Sequence, residues 1–319
     1  MVDLKGKGIK IFSGTANRQL SEKIAKYLDL SLGKAIINYF PDGEIHVRCL
    51  ENVRGRDVFI IQPTFSPADN LMELLIMIDA LKRASADTVG AVIPFFGYAR
   101  QDRKTKSREP ISAKLVANLI TMAGADRVMS VDLHAGQIQG FFDIPMDNLT
   151  AVLTLADYMR EKNIENPVVV SPDVGGVARA TEFAREMSHS TQAIFVKRRL
   201  GPEEVETSRL IGEVKGKSVI FVDDAIHTGN TIINATEEVL KRGAKEAYVC
   251  VTHGIFAKDS LSKFEESPIK EIIVTDTIPV EERNHLPDKV KVLSVAPLIG
   301  EAIKRVFLHE SISALFEKD

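Results

Sequence analysis

Residues 219–231 read Val219-Ile220-Phe221-Val222-Asp223-Asp224-Ala225-Ile226-His227-Thr228-Gly229-Asn230-Thr231, and an amphipathic stretch continues to Arg242. A short apolar run leads into two adjacent carboxylates and then into a Thr-Gly-Asn-Thr turn. This order predicts a buried strand, a polar loop at its carboxyl end and a helix, which together form the repeating unit of an open α/β sheet. Ligands of such sheets bind at the carboxyl ends of the strands, so this loop is a candidate ligand site.

The same alternation continues along the chain. Further nearly continuous apolar runs, typical of parallel strands covered on both faces, occur at 58–61, 89–94, 128–131, 168–170, 193–196, 249–251 and 272–274. Amphipathic stretches between them lie at 70–84, 111–123 and 151–162. Strands and helices that alternate at this spacing predict a doubly wound α/β architecture.

The length of 319 residues favours two domains, since one domain takes about 150 residues. An internal similarity agrees with this, because Gly124-Ala125-Asp126 and Gly243-Ala244-Lys245 each lead from a helix into a strand that runs toward a histidine. Connections of this kind are common, so chance similarity is an alternative explanation. We predict an N-terminal domain at 1–149, on which residues from about 303 to 319 pack, and a C-terminal domain at 150–302.

Charge and cysteine content exclude several classes of protein. Lys and Arg number 41 and Asp and Glu number 44, so the net charge of −3 does not favour binding to nucleic acid or an anionic membrane. The two cysteines, Cys49 and Cys250, provide neither a disulfide scaffold nor a cysteine-based zinc site. The chain begins without a signal-peptide pattern, and no apolar run reaches the roughly 18 residues of a membrane span. We therefore expect a cytoplasmic protein.

The turn after the acid pair has the composition of an anion site. Its backbone N–H groups and the hydroxyls of Thr228 and Thr231 can point at one phosphate, aided by the helix N-terminus. The carboxylates of Asp223 and Asp224 can bind sugar hydroxyls or a metal-bound water. The alternative is a helix N-cap at Thr228 beside two solvated acids. Two Gly-Lys segments elsewhere precede their strands and lack the glycine spacing of a dinucleotide fingerprint or a P-loop.

Several segments together carry a family resemblance. The most specific is Asp132-Leu133-His134-Ala135-Gly136-Gln137-Ile138-Gln139-Gly140-Phe141-Phe142-Asp143-Ile144-Pro145-Met146-Asp147, and the others are Phe12-Ser13-Gly14, Phe40-Pro41-Asp42-Gly43-Glu44, 95–103, Ser171-Pro172-Asp173-Val174-Gly175-Gly176 and Lys197-Arg198-Arg199. Residues 223–231 resemble the phosphoribosyl-phosphate loop of type I phosphoribosyltransferase folds. The whole chain resembles the class I ribose-phosphate pyrophosphokinases (PRPP synthetases). This implies two doubly wound, mostly parallel-sheet α/β domains of the type I phosphoribosyltransferase-like fold.

The resemblance also implies a reaction. The diphosphoryl group of Mg-ATP passes to the anomeric hydroxyl of ribose 5-phosphate, which gives 5-phosphoribosyl 1-diphosphate (PRPP) and AMP. Mg²⁺ is the implied cofactor. Lys197 and Arg199 match the catalytic cations, which neutralise charge on the triphosphate. Without the resemblance, these two residues are typical of a solvated basic run.

Binding residues follow from the same resemblance. The implied ATP-binding residues are Phe40, Asp42, Glu44, Arg100, Gln101, Asp102 and His134. The implied ribose 5-phosphate-binding residues are Asp223, Asp224, His227, Thr228, Gly229, Asn230 and Thr231. The implied magnesium ligands are His134 and Asp173. Taken alone, His134 is typical of a structural histidine, Pro41-Asp42-Gly43 of a turn, and Arg100 of a basic surface loop.

Three positions depart from the family's pattern, and at one of them Ala225 replaces a larger apolar residue. His227 stands where the family usually has a third acid, and Asn230 stands where it usually has glycine. Asparagine tolerates left-handed backbone, so the turn is expected to keep its shape. His227 replaces an acceptor with a possible donor beside the phosphate, which bears on the affinity for ribose 5-phosphate and on its pH dependence.

The resemblance further implies a homohexamer, in which Phe40, Asp42 and Glu44 complete the adenine pocket of a neighbouring subunit. It also implies a regulatory anion site where phosphate activates the enzyme and ADP inhibits it. The matching regulatory residues are Arg54, Lys104, Lys106, Ser311 and Ser313. The alternative is a solvated basic loop and a tail whose apolar side chains merely pack.

Two other functions remain as alternatives. One is a catalytically silent regulatory homologue, and the other is a phosphoribosyltransferase that consumes PRPP. The presence of the matched catalytic and metal-site residues argues against the first. The segments 40–44 and 100–103, together with a second complete domain, argue against the second.

Overall fold

The computed structural model describes residue 4 and residues 8–188, 190–198, 207–280 and 286–316, with backbone alone at 197, 198, 207 and 208. The chain divides into two compact units. Unit 1 comprises Met1–Thr150, Thr277–Pro279 and Ser294–Asp319, and unit 2 comprises Ala151–Asp276 and Val280–Leu293.

Unit 1 contains a sheet whose five strands all pair in parallel, in the order β1-β4-β5-β6-β7. These strands are β1 (Ile9–Ser13), β4 (Asp57–Ile61), β5 (Thr88–Ile93), β6 (Arg127–Val131) and β7 (Met146–Leu149), and an antiparallel hairpin adds β2 (Ala35–Tyr39) and β3 (Ile45–Cys49). The helices are α1 (Arg18–Tyr27), α2 (Asp69–Arg83), α3 (Ser112–Ala123) and α8 (Ala296–Phe307), with 3₁₀ turns at Gly136–Phe141 and Ser313–Leu315. The central strands are buried on both faces, as their continuous apolar sequences require.

Unit 2 contains a sheet in the order β10-β9-β8-β11-β12-β13-β14. Its strands are β8 (Pro167–Ser171), β9 (Thr191–Arg198), β10 (Thr207–Ile211), β11 (Ser218–Ile226), β12 (Glu246–Gly254), β13 (Glu271–Thr275) and β14 (Val290–Leu293). All neighbours pair in parallel except β10, which is antiparallel to β9. The helices are α4 (Val152–Glu161), α5 (Val177–Glu186), α6 (Asn230–Lys241) and α7 (Ser260–Glu266). Apolar clusters on both faces of this sheet form the core of unit 2.

The predicted α/β fold with mostly parallel sheets is confirmed. The internal similarity also falls at equivalent places, because β4-β5-β6-β7 in unit 1 and β8-β11-β12-β13 in unit 2 are the same succession of parallel neighbours. The sequence-based division of the chain differs from these units in two respects, of which the first is that the short segment Thr277–Pro279 belongs to unit 1. Residues also return to unit 1 from Ser294, not from about 303, because α8 packs against α1 of that unit.

No helix among the described residues is both long enough and apolar enough to span a membrane.

Candidate active site

Asp223 and Asp224 lie within strand β11, near its carboxyl end. We expected them to follow the strand, but β11 continues to Ile226 because β12 pairs with it as far as Gly254. Successive residues of a strand usually point to opposite faces, but these two carboxylates lie within hydrogen-bond reach of each other. Asp224 is buried and Asp223 is partly buried. The acid pair is therefore part of the sheet itself, in a fixed backbone geometry.

Arg179 of α5 offsets the negative charge of the acid pair. Its Nη1 atom lies 3.7 Å from Oδ1 of Asp223 and 3.7 Å from Oδ1 of Asp224. Burial, and then the neighbouring charge of Asp224, raise the pKa of Asp223 well above its usual value, while Arg179 acts in the opposite direction. The backbone N–H of Asp224 donates to Asp223 Oδ1 at 2.9 Å. The Arg179 guanidinium thus lies close to both carboxylates at the carboxyl end of β11.

A second loop, between β8 and α5, adjoins the acid pair. Ser171 Oγ donates to the carbonyl of Asp173 at 2.6 Å, and the Gly176 N–H donates to Asp173 Oδ1 at 3.0 Å. A Cβ atom at Gly176 would lie 2.8 Å from Ser171 Oγ, 3.8 Å from Asp223 Oδ1 and 3.9 Å from Asp173 Oδ1. Carboxylate oxygens of this loop and of β11 therefore both lie near Gly176, and a side chain there would obstruct their approach.

The turn at 227–231 forms the N-terminus of α6. Gly229 is the N-cap and adopts the left-handed φ of +77°, so the alternative interpretation of Thr228 as the N-cap does not hold. A Cβ at Gly229 would lie 2.4 Å from Cζ of Phe264, so both the backbone angle and the packing require glycine. The left-handed role expected for Asn230 was therefore also wrong, because Asn230 is the first residue of α6 and its Oδ1 accepts a hydrogen bond from Lys263 Nζ at 3.3 Å.

The remaining side chains of this turn surround the helix N-terminus. Thr228 is half-buried and Thr231 is exposed. The carbonyl of His227 accepts a hydrogen bond from the N–H of Ala257 at 2.8 Å, which ties the turn to the segment after β12. Gly229 has no side chain to cap α6, so the helix N-terminus keeps donor groups for an anion.

In unit 1, Phe40, Asp42 and Glu44 share the tight turn between β2 and β3. The N–H of Phe40 donates to the carbonyl of Glu44 at 2.8 Å, and Glu44 N–H donates to Asp42 Oδ1 at 3.2 Å. Gly43 provides the left-handed φ of +93° that closes the turn. The Phe40 ring is half-exposed and lies 5.0 Å, centroid to centroid, from the His46 ring. An aromatic face and two carboxylates are thus presented together on one hairpin.

The loops after β5 and β6 of unit 1 are joined by a hydrogen bond. Gln137 Nε2 donates to Asp102 Oδ2 at 2.6 Å. The neighbouring Gln101 accepts a hydrogen bond from Ser112 Oγ at the start of α3, while Arg100 is exposed. His134 is exposed at the end of the loop that follows β6. The segments carrying Arg100–Asp102 and His134 are therefore neighbours at the carboxyl end of the sheet of unit 1.

Known proteins resemble this chain over almost its whole length. Residues 9–124 match the N-terminal domain of ribose phosphate pyrophosphokinase, and residues 189–317 match the phosphoribosyl synthetase-associated domain. The chain is 56% identical over 312 residues to the ribose-phosphate pyrophosphokinase of Thermotoga maritima, an alignment that covers 97% of this chain and 98% of that protein. The chain belongs to the ribose-phosphate pyrophosphokinase family. The resemblance inferred from its motifs is confirmed.

Two further relatives extend this family relationship. The ribose-phosphate pyrophosphokinase of Fusobacterium nucleatum is 52% identical over 311 residues, covering 97% of this chain and 98% of that protein. The crystal structure of phosphoribosylpyrophosphate synthetase from Mycobacterium smegmatis is similar with a TM-score of 0.88 and 42% identity, covering 95% of this chain and 99% of that chain. Both units of this pyrophosphokinase-family chain are thus matched.

Lys197 and Arg199, which match the family's catalytic cations, are only partly covered by the described residues. Lys197 was expected just after its strand, but it lies within β9, where its backbone pairs opposite Ser208 of β10. Arg199 and the side chain of Lys197 lie outside the described residues. Lys197 thus lies beyond Ile194, the last residue of β9 that pairs with β8.

The residues matched to the family's regulatory site are all exposed and all belong to unit 1. The backbone N–H groups of Arg54 and Lys106 donate to Asn52 Oδ1 and Glu109 Oε2, at 3.1 and 2.9 Å. The carbonyl of Ser311 accepts from Arg305 Nη1 at 3.0 Å, and Ser313 begins a 3₁₀ turn. Lys104 lies in the exposed loop before Glu109.

Sequence analysis missed Arg179, which the structure places against the acid pair of this family member. The residue has a recognisable position, because it follows the Gly175-Gly176 loop by one helical turn. A single arginine in an amphipathic helix is usually solvated, so only the fold reveals that it faces β11.

Proposed function

We propose that this chain transfers the diphosphoryl group of Mg-ATP to the anomeric hydroxyl of ribose 5-phosphate, forming PRPP and AMP. The anomeric oxygen bonds to the β-phosphorus as the bond from that phosphorus to the bridging oxygen of AMP breaks. The hydroxyl proton is released. One observation carries the assignment: an acid pair in β11 directly precedes an open helix N-terminus, in a chain of the ribose-phosphate pyrophosphokinase family.

Ribose 5-phosphate is proposed to bind at this end of β11. The carboxylates of Asp223 and Asp224 accept hydrogen bonds from ribose hydroxyls, since ionised carboxylates act only as acceptors. The N–H groups at the start of α6, with the hydroxyls of Thr228 and Thr231, hold the 5-phosphate. Gly229 gives the turn the left-handed angle that this arrangement needs, and we include His227 and Asn230 in the same phosphate-binding turn.

ATP and Mg²⁺ are proposed to use the residues matched by the family resemblance. Phe40, Asp42 and Glu44 offer a ring face and acceptors for adenine, while the remaining ATP residues of unit 1 are Arg100, Gln101, Asp102 and His134. When bound, Mg²⁺ neutralises charge on the phosphate oxygens.

The carboxylate of Asp173 fits the magnesium ion. This ion takes oxygen ligands and is usually bound through one or two carboxylates while keeping several waters. Asp173 Oδ1 accepts a hydrogen bond from the Gly176 N–H, and Oδ2 has no hydrogen-bond partner within the described ranges. Those ranges contain no cluster of three or more His, Cys, Asp or Glu side chains able to hold a metal alone, which suits an ion whose other ligands come from substrate phosphates and water. His134, in unit 1, is the second proposed ligand.

Homohexamers and regulation by phosphate and ADP are also proposed. Helix α3 presents Leu115, Leu119 and Met122 to solvent at 58%, 40% and 83% exposure, and a partner subunit would cover this apolar stripe. Arg54, Lys104, Lys106, Ser311 and Ser313 supply cations and hydroxyls to an anion site. A cytoplasmic location remains our expectation. Sedimentation velocity tests the assembly, and a fully active monomer would contradict it.

An assay for both products tests the reaction. The protein is incubated with Mg-ATP and ribose 5-phosphate, and AMP and PRPP are measured, with the D223N/D224N double variant as the matched control. We expect equal amounts of the two products from the unsubstituted protein and almost none from the control. Absence of both products would favour a silent regulatory homologue, and consumption of added PRPP with a free base would favour a phosphoribosyltransferase.

A further inference from the structure

Unit 2 has a cavity at the opposite end of its sheet from the acid pair. The cavity measures about 710 Å³ and lies where β8, β9 and β11 begin, below the ends of α4 and α5. Its volume falls within the roughly 300–1,000 Å³ range of small-molecule sites. The turn at 227–231 and the loop carrying Asp173 lie at the carboxyl ends of the same strands. A ligand in this cavity would therefore not overlap the proposed ribose 5-phosphate site.

Every charged residue that lines this cavity, within the described parts of the chain, is a cation. The guanidinium of Arg160 already has partners within unit 2. Its Nη1 donates to the carbonyl of Glu186 at 2.7 Å, and the group forms an ion pair with Asp157. Lys215 and Lys217 differ, since neither forms an ion pair with any carboxylate of the described residues. Two ammonium groups without acidic partners give the cavity a positive potential.

Acidic groups near the cavity engage other partners. Glu213 Oε1 accepts a hydrogen bond from the backbone N–H of Lys215 at 2.9 Å, and the Glu165 carboxylate lies 3.7 Å from Lys245 Nζ. Lys217 Nζ donates to Thr191 Oγ1 at 3.2 Å, which uses one of its three protons. The remaining protons, together with those of Lys215, can be donated to the oxygens of an anion.

Apolar side chains also line the cavity. Ile164 is partly exposed, whereas Met159 and Met187 are buried, so Ile164 offers most of the apolar surface of these three residues. The lysines and this aliphatic side chain together match a ligand that has both an anionic and an apolar end. We propose that this cavity binds a phosphate monoester that carries an aromatic or apolar group, of the size of a nucleoside monophosphate.

A tryptophan placed in the cavity tests the proposal, because the chain contains no tryptophan of its own. The I164W variant is titrated with AMP, with inorganic phosphate and with adenosine while its emission is recorded. We expect AMP to change the emission with the tightest apparent Kd, phosphate to bind more weakly, and adenosine to have no effect below 1 mM, roughly the scale of weak ligand binding. No change with AMP up to about 10 mM, or equal responses to AMP and adenosine, would overturn the proposal.

Charge-removing variants locate the binding. In the I164W background, K215Q/K217Q is expected to weaken AMP binding at least tenfold, whereas K241Q, an exposed lysine on α6, leaves it within twofold. Equal losses in both variants, or none in either, would overturn the assignment.

Hydrogen exchange on protein without the tryptophan provides the second measurement. AMP should protect amides at 213–217, and K215Q/K217Q should abolish this protection while leaving any protection at 223–231 unchanged. Unchanged exchange at 213–217 would contradict the site even if I164W failed to fold.

Discussion

Gly229→Ala should weaken both the stability of unit 2 and its binding of ribose 5-phosphate. The substitution imposes a left-handed φ of +77° on an alanine, which costs roughly 1–2 kcal/mol. The new Cβ also lies 2.4 Å from the Phe264 ring. Carbon atoms pack at about 3.5–4.0 Å, so the ring or the turn must move by about 1 Å. Overpacking of this kind costs roughly 1–3 kcal/mol more.

Gly216→Ala is the matched control for this prediction. Gly216 has a similar φ of +71°, but a Cβ there meets nothing within 4 Å, so it incurs only the backbone cost. Urea unfolding should therefore show a loss of about 2–5 kcal/mol for G229A and about 1–2 kcal/mol for G216A. Equal losses in the two variants would refute the steric argument.

Enzyme kinetics separate the effect on the site from the effect on stability. Movement of the turn displaces the N–H groups of α6, so G229A should raise KM for ribose 5-phosphate at least tenfold, with a smaller change in KM for ATP. G216A should keep both values near those of the unsubstituted enzyme. A normal KM for ribose 5-phosphate in folded G229A would show that this turn does not bind the phosphate.

Three further predictions concern catalysis, pH and regulation. K197A and R199A should each lower kcat by roughly 10²–10³ with little change in KM, and a loss confined to KM would reassign them to ground-state binding. The pKa of Asp223 is raised in the folded protein, so the folded state binds this proton more tightly than the unfolded chain does. The free energy of unfolding therefore falls as the pH rises from the usual carboxyl pKa to the raised one. D223N should therefore raise the urea midpoint at pH 7 while abolishing activity, and a lower midpoint would contradict this. S311A/S313A should remove activation by phosphate at saturating Mg-ATP, and retained activation would place that site elsewhere.

The central strands of both sheets could be predicted from the sequence, but the edge strands could not. The strands β4, β5, β6, β8, β9, β11, β12 and β13 are covered by neighbours and carry continuous apolar runs. The edge strands β1, β7, β10 and β14 interrupt their apolar residues with polar ones, such as Lys10, Asp147 and Lys291, so their sequences lack that signal. The hairpin of β2 and β3 also mixes polar and apolar residues, and most of its residues are at least partly exposed.

At the site, the residue types were predictable and the local geometry was not. Asp223, Asp224 and Gly229 were identified from their order along the chain. How far β11 extends depends on its pairing with β12. The need for glycine at position 229 depends in part on the Phe264 ring, which lies 35 positions further along the chain. Arg179 was missed because its role arises only when α5 packs against the sheet. Each of these features is a contact between segments distant in sequence.

The return of the chain to unit 1 after residue 293 has a consequence for synthesis on the ribosome. Helix α8 completes unit 1, where Tyr27 Oη donates to Glu301 Oε2 at 3.1 Å and a Cβ at Gly300 would lie 2.5 Å from the Tyr27 ring. Translation adds about 5–20 residues per second, so the segment 151–293 emerges several seconds to tens of seconds before α8 does. The surface of α1 that α8 covers is therefore exposed throughout that interval. A nascent chain stalled before residue 294 would leave this surface accessible to chaperones, although the residues of unit 2 would all have been synthesised.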